Sequence, residues 1–300
     1  MAEKIGIVGV GAMGFAIATR LLDAGYEVVG TDIVPEHRQR LERSGGIAVD
    51  TAQAVAEATS TVLLSLPSVQ AFRAVTTGPF NVGDSGRDDL IVIDTCTLDV
   101  DDKRHARDDL GSRGARLLDC TLSGTPPMCL ENQMTLYASG DREAYEQIAH
   151  VVRAFTRDHT YLGDFGNASL MKYIINFLVI THNAAAAEAL TFAEKLGLDP
   201  ALAHQLVSDS FGASRVLERR GRLMLEGDYT TSGNSYSLAR KDGAVIASYA
   251  AQAHMPIPLF TAALQMHQSG MAQGWEKVDP ASVYEVYRRA AGLEARTPNN

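Results

Sequence analysis

A chain of 300 residues is long enough for about two domains of ordinary size and excludes a peptide-scale scaffold. With 46% hydrophobic and 21% charged residues it is too apolar to stay disordered, and a formal charge of −9 with no Lys/Arg run provides no basic stripe for nucleic acid or anionic lipid. Cys96, Cys120 and Cys129 are odd in number, lack C-x-x-C spacing and lie near no paired histidines, so neither a disulfide framework nor a metal site is indicated and a reducing compartment fits best.

In chain order, residues 5–9, 27–32, 61–66, 90–94 and 115–119 are short β-branched runs separated by helical segments. This alternation predicts an α/β fold with a doubly wound parallel sheet. Residues 12–24 form the first helix, with Ile17, Leu21 and Leu22 on one stripe and Gly25 as its stop, completing a right-handed βαβ unit. After Gly163 the pattern changes to long helical periods, which predicts a sheet domain over residues 1–163 and an all-helical domain over residues 164–300, with a hinge near 161–166. The most apolar stretch, residues 173–190, contains Asn176, His182, Asn183 and Glu188 and reads as a buried helix of a soluble protein rather than a membrane span. The N-terminal apolar run is broken by glycines and too short for a signal-peptide core, so the expected location is cytoplasmic.

The first strand runs into Gly9-Val10-Gly11-Ala12-Met13-Gly14 and then into the first helix. In that context a GxGxxG turn is the Rossmann fingerprint: the first glycine turns the chain, the second lets backbone approach a pyrophosphate, and the third lets helix and strand pack closely. Phosphate then meets the positive end of the helix. A glycine turn without ligand is the alternative, and Asp32 argues against it, because a carboxylate ending the second strand suits the adenosine ribose hydroxyls. The same carboxylate repels a 2′-phosphate, so NAD is expected over NADP; Arg38 and Arg40 lie far down the following helix as phosphate binders, although Arg38 could reach with a bent loop.

In the helix beginning near Ala168, Lys172, Asn176 and Asn183 fall within roughly 40° of one another at 100° per residue. This polar stripe lies on a helix otherwise built of Leu170, Ile174, Leu178 and alanines. Burial lowers a lysine pKa toward neutrality and makes it useful as a general acid or base; a lysine snorkelling to solvent near a helix start is the other reading. Two further segments follow strand ends, where ligands gather in such sheets: Thr95-Cys96-Thr97 and Thr121-Leu122-Ser123-Gly124-Thr125. The second offers a hydroxyl and successive backbone N–H groups, a carboxylate nest or else an ordinary turn, ended by Pro126 and Pro127, which have no donor. Cys120 and Cys129 beside it read as packing residues.

Taken together these motifs resemble the β-hydroxyacid dehydrogenase family, over nearly the whole chain. The cofactor signature is Ile7-Val8-Gly9-Val10-Gly11-Ala12-Met13-Gly14 with Leu66-Pro67 after a later strand; the substrate signature is Asp119-Cys120-Thr121-Leu122-Ser123-Gly124; the catalytic signature runs from Gly166 through Lys172 to Asn176. By that resemblance Lys172 is the acid/base, Asn176 binds the reacting substrate, Ser123 and Gly124 hold the carboxylate of a small hydroxy acid, Thr97 lies by the nicotinamide and Lys241 touches the cofactor; the Thr125 amide extends the carboxylate nest by its place in the loop. No metal is implied, and the long apolar helices suggest a homodimer or homotetramer. The chain departs from the family's pattern at Thr125, Pro126-Pro127 and Met128-Cys129, at Ala168 in place of a glycine, and at Ile175 in place of the first of two asparagines. These departures point to a substrate that no one subfamily dictates. An imine or ketone reductase on the same scaffold, or a non-catalytic dinucleotide-binding protein, are the other readings.

Overall fold

The computed structural model describes residues 2–230 and 234–298. It divides into two compact units, Met1–Lys172 and Tyr173–Asn300. In the first, β1 (Lys4–Val8), β2 (Glu27–Thr31), β3 (Ile47–Ala48), β4 (Thr61–Leu64), β5 (Ile91–Asp94), β6 (Arg116–Ser123), β7 (Thr135–Ser139) and β8 (Asp158–Tyr161) form one sheet in the order β3-β2-β1-β4-β5-β6-β7-β8. Its pairings are parallel except β6 with β7. The helices of this unit are α1 (Ala12–Asp23), α2 (Pro35–Arg43), α3 (Ala52–Ala58), α4 (Val69–Thr76), α5 (Val100–Gly111), α6 (Pro126–Leu130) and α7 (Arg142–Phe155).

Both faces of the sheet are covered, as a parallel sheet requires. Successive strand side chains alternate between two cores: Ile5, Ile7, Leu63, Ile91, Ile93 and Leu118 pack with Ile17 and Leu21 of α1 and with Ile148, Val151 and Phe155 of α7. Val8, Val62, Leu64, Val92 and Leu117 pack on the other side with Val55 of α3, Phe72 of α4 and Leu110 of α5. The central strands therefore read as continuous apolar runs, and those are the strands that the sequence pattern identifies. The outer ones differ. β8 (Asp-His-Thr-Tyr) is a half-exposed edge strand and β3 is two residues long, so neither carries a buried apolar pattern.

One expectation is corrected here. Thr121, Leu122 and Ser123 are not a loop: β6 runs on through Ser123 because β7 pairs with it antiparallel, Thr121 opposite Tyr137 and Ser123 opposite Thr135. Only Gly124 and Thr125 connect it to α6, whose first two residues are Pro126 and Pro127. Cys120 and Cys129 are buried free thiols, and burial raises Cys129 to about 11, in keeping with packing residues.

The segment 161–166 expected as a hinge is held at several points: Gly140 N–H donates to the Gly163 carbonyl at 2.9 Å and Asn167 Nδ2 to the Leu162 carbonyl at 2.8 Å. From it springs α8 (Asn167–Lys195), a helix long and apolar enough by length and composition to cross a membrane. It is not buried all round, as the sequence suggested: Tyr173, Ile180, Ala184, Ala187 and Leu190 are buried, whereas Ile174 and Leu178 stand exposed.

The second unit adds α9 (Pro200–Ser208), α10 (Arg215–Glu226), α11 (Tyr236–Gln252), α12 (Pro258–Met271) and α13 (Val283–Ala290), with no strand among the described residues. Its core joins Ala187 and Leu190 to Leu217, Met224, Tyr236, Trp275 and Tyr284. Asn183, expected on the polar stripe, serves this core: its Nδ2 donates to the Pro280 carbonyl at 2.8 Å and lies 3.2 Å from His267 Nε2. Burial pushes His267 down to about 4, so the imidazole is neutral at pH 7. An unfolded-state histidine takes up its proton near 6.5, so native stability is lost as pH falls from about 6.5 toward 4, by up to about 3 kcal/mol. In urea titrations the stability gap between the wild type and His267→Gln is expected to shift by that order in the variant's favour between pH 7 and pH 4.5; a pH-independent gap refutes a neutral buried His267.

Candidate dinucleotide and hydroxy-acid site

The cradle after β1 is set by backbone geometry. Gly9 has φ +89° and its amide donates to the Thr31 carbonyl at 2.9 Å; a Cβ on Gly14 would stand 1.9 Å from the Gly9 carbonyl oxygen. Neither position admits a side chain. At Gly11, by contrast, an added Cβ would meet only His37 Cε1, 4.0 Å away, and Gly11 caps α1 with no side-chain hydrogen bond. An open cradle at the start of a 12-residue helix fits a pyrophosphate bound by backbone N–H groups and the helix dipole.

Asp32 closes the cradle. Its carboxylate accepts from Val10 N–H and Val34 N–H, each at 2.9 Å, and lies 3.1 Å from His37 Nδ1. Two carboxylate oxygens have about four acceptor positions, so capacity remains for ribose hydroxyls. The arginines are closer than their sequence distance implies, because α2 packs back on the loop. Arg38 Nη1 donates to the Asp32 carbonyl at 2.5 Å; Arg40 Nη2 donates to the Val10 and Gly11 carbonyls at 2.7 and 3.1 Å, and its guanidinium lies 4.0 Å from the Phe15 ring centroid. Arg40, expected far along the helix, thus stands at the loop, as Arg38 was allowed to do, and both guanidiniums are bonded to backbone carbonyls there.

The loops after β4 and β5 stand beside the cradle at the carboxyl edge. Ser65 N–H donates to the Val8 carbonyl, and Leu66 N–H points at Cys96 Sγ, 3.2 Å away, followed by the exposed Pro67. Thr95 Oγ1 donates to the Leu64 carbonyl at 2.7 Å, which sets the half-buried Thr97 next along the edge. Ser123, Gly124 and Thr125, all half-buried, end β6 on the same edge, and Met128 and Met134 pack at Gly124. Lys172, half-buried, is the last residue of this unit.

Sequence reasoning missed what lies beneath. Lys103 is fully buried, its Nζ 2.9 Å from Asp94 Oδ2 and 2.8 Å from Asp119 Oδ1, and it donates to the Cys96 carbonyl at 2.6 Å. Both carboxylates are fully buried as well, and their charges outweigh desolvation to raise the lysine pKa. Asp119 also accepts from Ser169 N–H and Ser169 Oγ, each at 2.8 Å, and from Ser139 Oγ at 3.2 Å. A signal was present: in the charged segment that forms α5, Val100, Lys103, Ala106 and Leu110 make the one buried stripe.

In the second unit, Asn176 Nδ2 donates to Asp242 Oδ2 at 2.7 Å, and Lys241 Nζ lies 3.4 Å from Asp242 Oδ1. Asp242 thus links the two expected site residues of this unit. Among the described residues no group of three or more His, Cys, Asp or Glu side chains is placed to hold a metal ion.

Residues 4–163 match the family model described as the NAD binding domain of 6-phosphogluconate dehydrogenase, and residues 166–287 match the model described as NAD-binding of NADP-dependent 3-hydroxyisobutyrate dehydrogenase. The chain is 30% identical to L-threonate dehydrogenase of Cupriavidus necator over 96% of its own length and 97% of that protein's. It is 25% identical to 2-hydroxy-3-oxopropionate reductase of Escherichia coli K12, covering 94% and 96% of the two chains. The crystal structure of 3-hydroxyisobutyrate dehydrogenase from Salmonella typhimurium superimposes with a TM-score of 0.86 at 27% identity, over 95% of this chain and 99% of that one. Fold and cradle define a nicotinamide-dinucleotide-dependent oxidoreductase with a Rossmann sheet and a helical second half. The chain belongs to the β-hydroxyacid dehydrogenase family and is an NAD(P)-dependent dehydrogenase of that group.

Proposed function

We propose that this enzyme oxidises the alcohol of a small hydroxycarboxylic acid, or reduces the matching carbonyl, in the cytoplasm, with NAD in preference to NADP and as a homodimer or homotetramer. The two family models meet at the same place in the chain, covering residues 4–163 and 166–287, and both are described as NAD-binding; within that division we assign residues 1–163 to the dinucleotide and residues 164–300 to the substrate and assembly. The observation that carries the reading is the seating of α8. Its first turn is hydrogen-bonded to Asp119, which pairs with Asp94, the last residue of β5, so Lys172 follows by one turn from the level where parallel strands end and ligands gather.

When bound, the dinucleotide supplies the hydride acceptor or donor. Lys172, neutral in the oxidising direction, takes the substrate hydroxyl proton, and its ammonium returns that proton in reduction. Asn176 is one turn farther on. With Nδ2 committed to Asp242, the amide orientation is fixed and the second N–H is left to orient the substrate oxygen. Ser123 Oγ and the Gly124 and Thr125 amides anchor the carboxylate, and Pro126 and Pro127, which begin α6, end the run of donors, so the anion is compact. Ala12, Met13 and Gly14 continue from the cradle into α1, Leu66, Pro67 and Thr97 border it, and the family resemblance assigns Lys241 to the dinucleotide as well.

Three measurements test this. Comparing a hydroxy acid with its neutral amide should show a lower kcat/KM for the amide, and Ser123→Ala should weaken binding of the acid by about 1.5–3 kcal/mol, roughly 10- to 150-fold in KM, without changing NAD affinity. Equal kcat/KM for acid and amide removes the carboxylate slot and favours the ketone or imine reductase reading; no turnover with any hydroxy acid or carbonyl, with dinucleotide bound, favours a non-catalytic role. For the cofactor, Asp32→Ala should weaken NAD and narrow its advantage over NADP. A wild type with higher kcat/KM for NADP overturns the NAD assignment and directs attention to Arg38, 2.5 Å from the Asp32 carbonyl.

A further inference from the structure

Burying an ammonium together with two carboxylates takes three charged groups out of water, a cost that a well-packed apolar cluster of similar volume avoids, so its placement calls for a reason beyond stability. Lys103 stands where two loops of the proposed site meet. On one side its Nζ donates to the Cys96 carbonyl, and Asp94 Oδ1 accepts from Cys96 N–H at 3.0 Å, so Cys96, the residue just before Thr97, is held at both its N–H and its carbonyl. On the other side it pairs with Asp119, whose carboxylate accepts both the backbone and the side chain of Ser169 in the first turn of α8. The same turn is held from β7, where Ser139 Oγ accepts from Gly166 N–H at 3.2 Å and Ala168 N–H at 3.1 Å, and from β6, where Thr121 Oγ1 donates to the Ala168 carbonyl at 2.9 Å. Lys103, Asp94, Asp119, Ser139 and Ser169 are all fully buried.

We propose that Lys103, clamped between Asp94 and Asp119, is a positioning residue that locks the Thr97 loop to the first turn of the helix bearing Lys172. This rests on the assignment of Lys172 as the acid/base. The clamp touches neither substrate nor dinucleotide; it holds the frame within which the lysine and the cofactor-side loop keep a fixed relation. A displacement of about 1 Å in such a frame costs on the order of 100-fold in rate.

Three variants test it. Ser169→Ala cuts the side-chain link to the helix while leaving its backbone cap. Lys103→Met removes the clamp outright. Lys103→Met with Asp94→Asn does so while keeping the net charge of the buried cluster, which covers the case in which the single variant fails to fold. Each folded variant is expected to lose about 10- to 100-fold in kcat with KM and NAD affinity within about threefold of wild type. In Ser169→Ala, hydrogen exchange should accelerate at amides 166–170 and stay unchanged elsewhere in the first unit. Unchanged kcat in folded Ser169→Ala, or a kcat that falls only with the folded fraction while exchange accelerates uniformly, overturns the proposal. If Lys172→Ala keeps its kcat the acid/base assignment fails instead, and the exchange result still decides whether the clamp exists.

Discussion

Lys172→Ala is expected to lower kcat by about 10²–10⁴, the range typical of removing a positioned general acid or base. The fall should be equal in kcat and in kcat/KM, because the proton is transferred only in the transition state. NAD affinity should stay near normal, since the cradle is built from the turn between β1 and α1 and from Asp32 after β2. A wild-type kcat in an assay limited by chemistry would show that another group moves the proton.

Gly14→Ala should have an effect of comparable size on a different quantity. The added Cβ would stand 1.9 Å from the Gly9 carbonyl oxygen and 3.0 Å from its carbon, both backbone atoms that no rotamer change can clear. Either α1 lifts from β1 or the loop opens, and each removes N–H groups from the place where a pyrophosphate sits. Loss of measurable NAD binding by calorimetry is expected, together with a lowered urea midpoint. Gly11→Ala is the control, because its Cβ meets nothing closer than 4.0 Å in the protein. That variant should fold as well as wild type and weaken NAD alone. Gly14→Ala binding NAD with unchanged affinity would mean that the helix and strand do not pack as described.

The sheet domain was legible where burial is two-sided. β1, β2, β4 and β5 are apolar runs bounded by turn residues, and the GxGxxG turn between β1 and α1 fixes the connection. β7 and β8 were not, since a five-residue Thr-Leu-Tyr-Ala-Ser and a four-residue Asp-His-Thr-Tyr lack that pattern and owe their state to pairing partners distant in sequence. The extension of β6 to Ser123 was hidden for the same reason. For the site, Asp32 and the glycines could be read from local sequence because their work is local. Arg40 could not, as its bonds to Val10 and Gly11 cross thirty residues of chain and depend on α2 folding back. Lys103 left only a faint signal, its place on the stripe of Val100, Ala106 and Leu110: in Val-Asp-Asp-Lys-Arg-His-Ala-Arg a lysine looks solvated, and only the positions of Asp94 and Asp119 in the folded sheet make its burial tolerable.

The complete enclosure of Lys103 gives the protein an internal clock. An amine-acylating reagent needs an unprotonated, accessible nitrogen, and this one is shut off from solvent and held charged between two carboxylates. Lys4, in the same unit, is exposed, with 49% of its side chain accessible, and its acylation is expected from the native state. Acylation of Lys103, followed by mass spectrometry, instead waits for the surrounding structure to open, so its rate as a function of temperature or denaturant reports how often this half of the enzyme comes apart while the chain as a whole still looks folded.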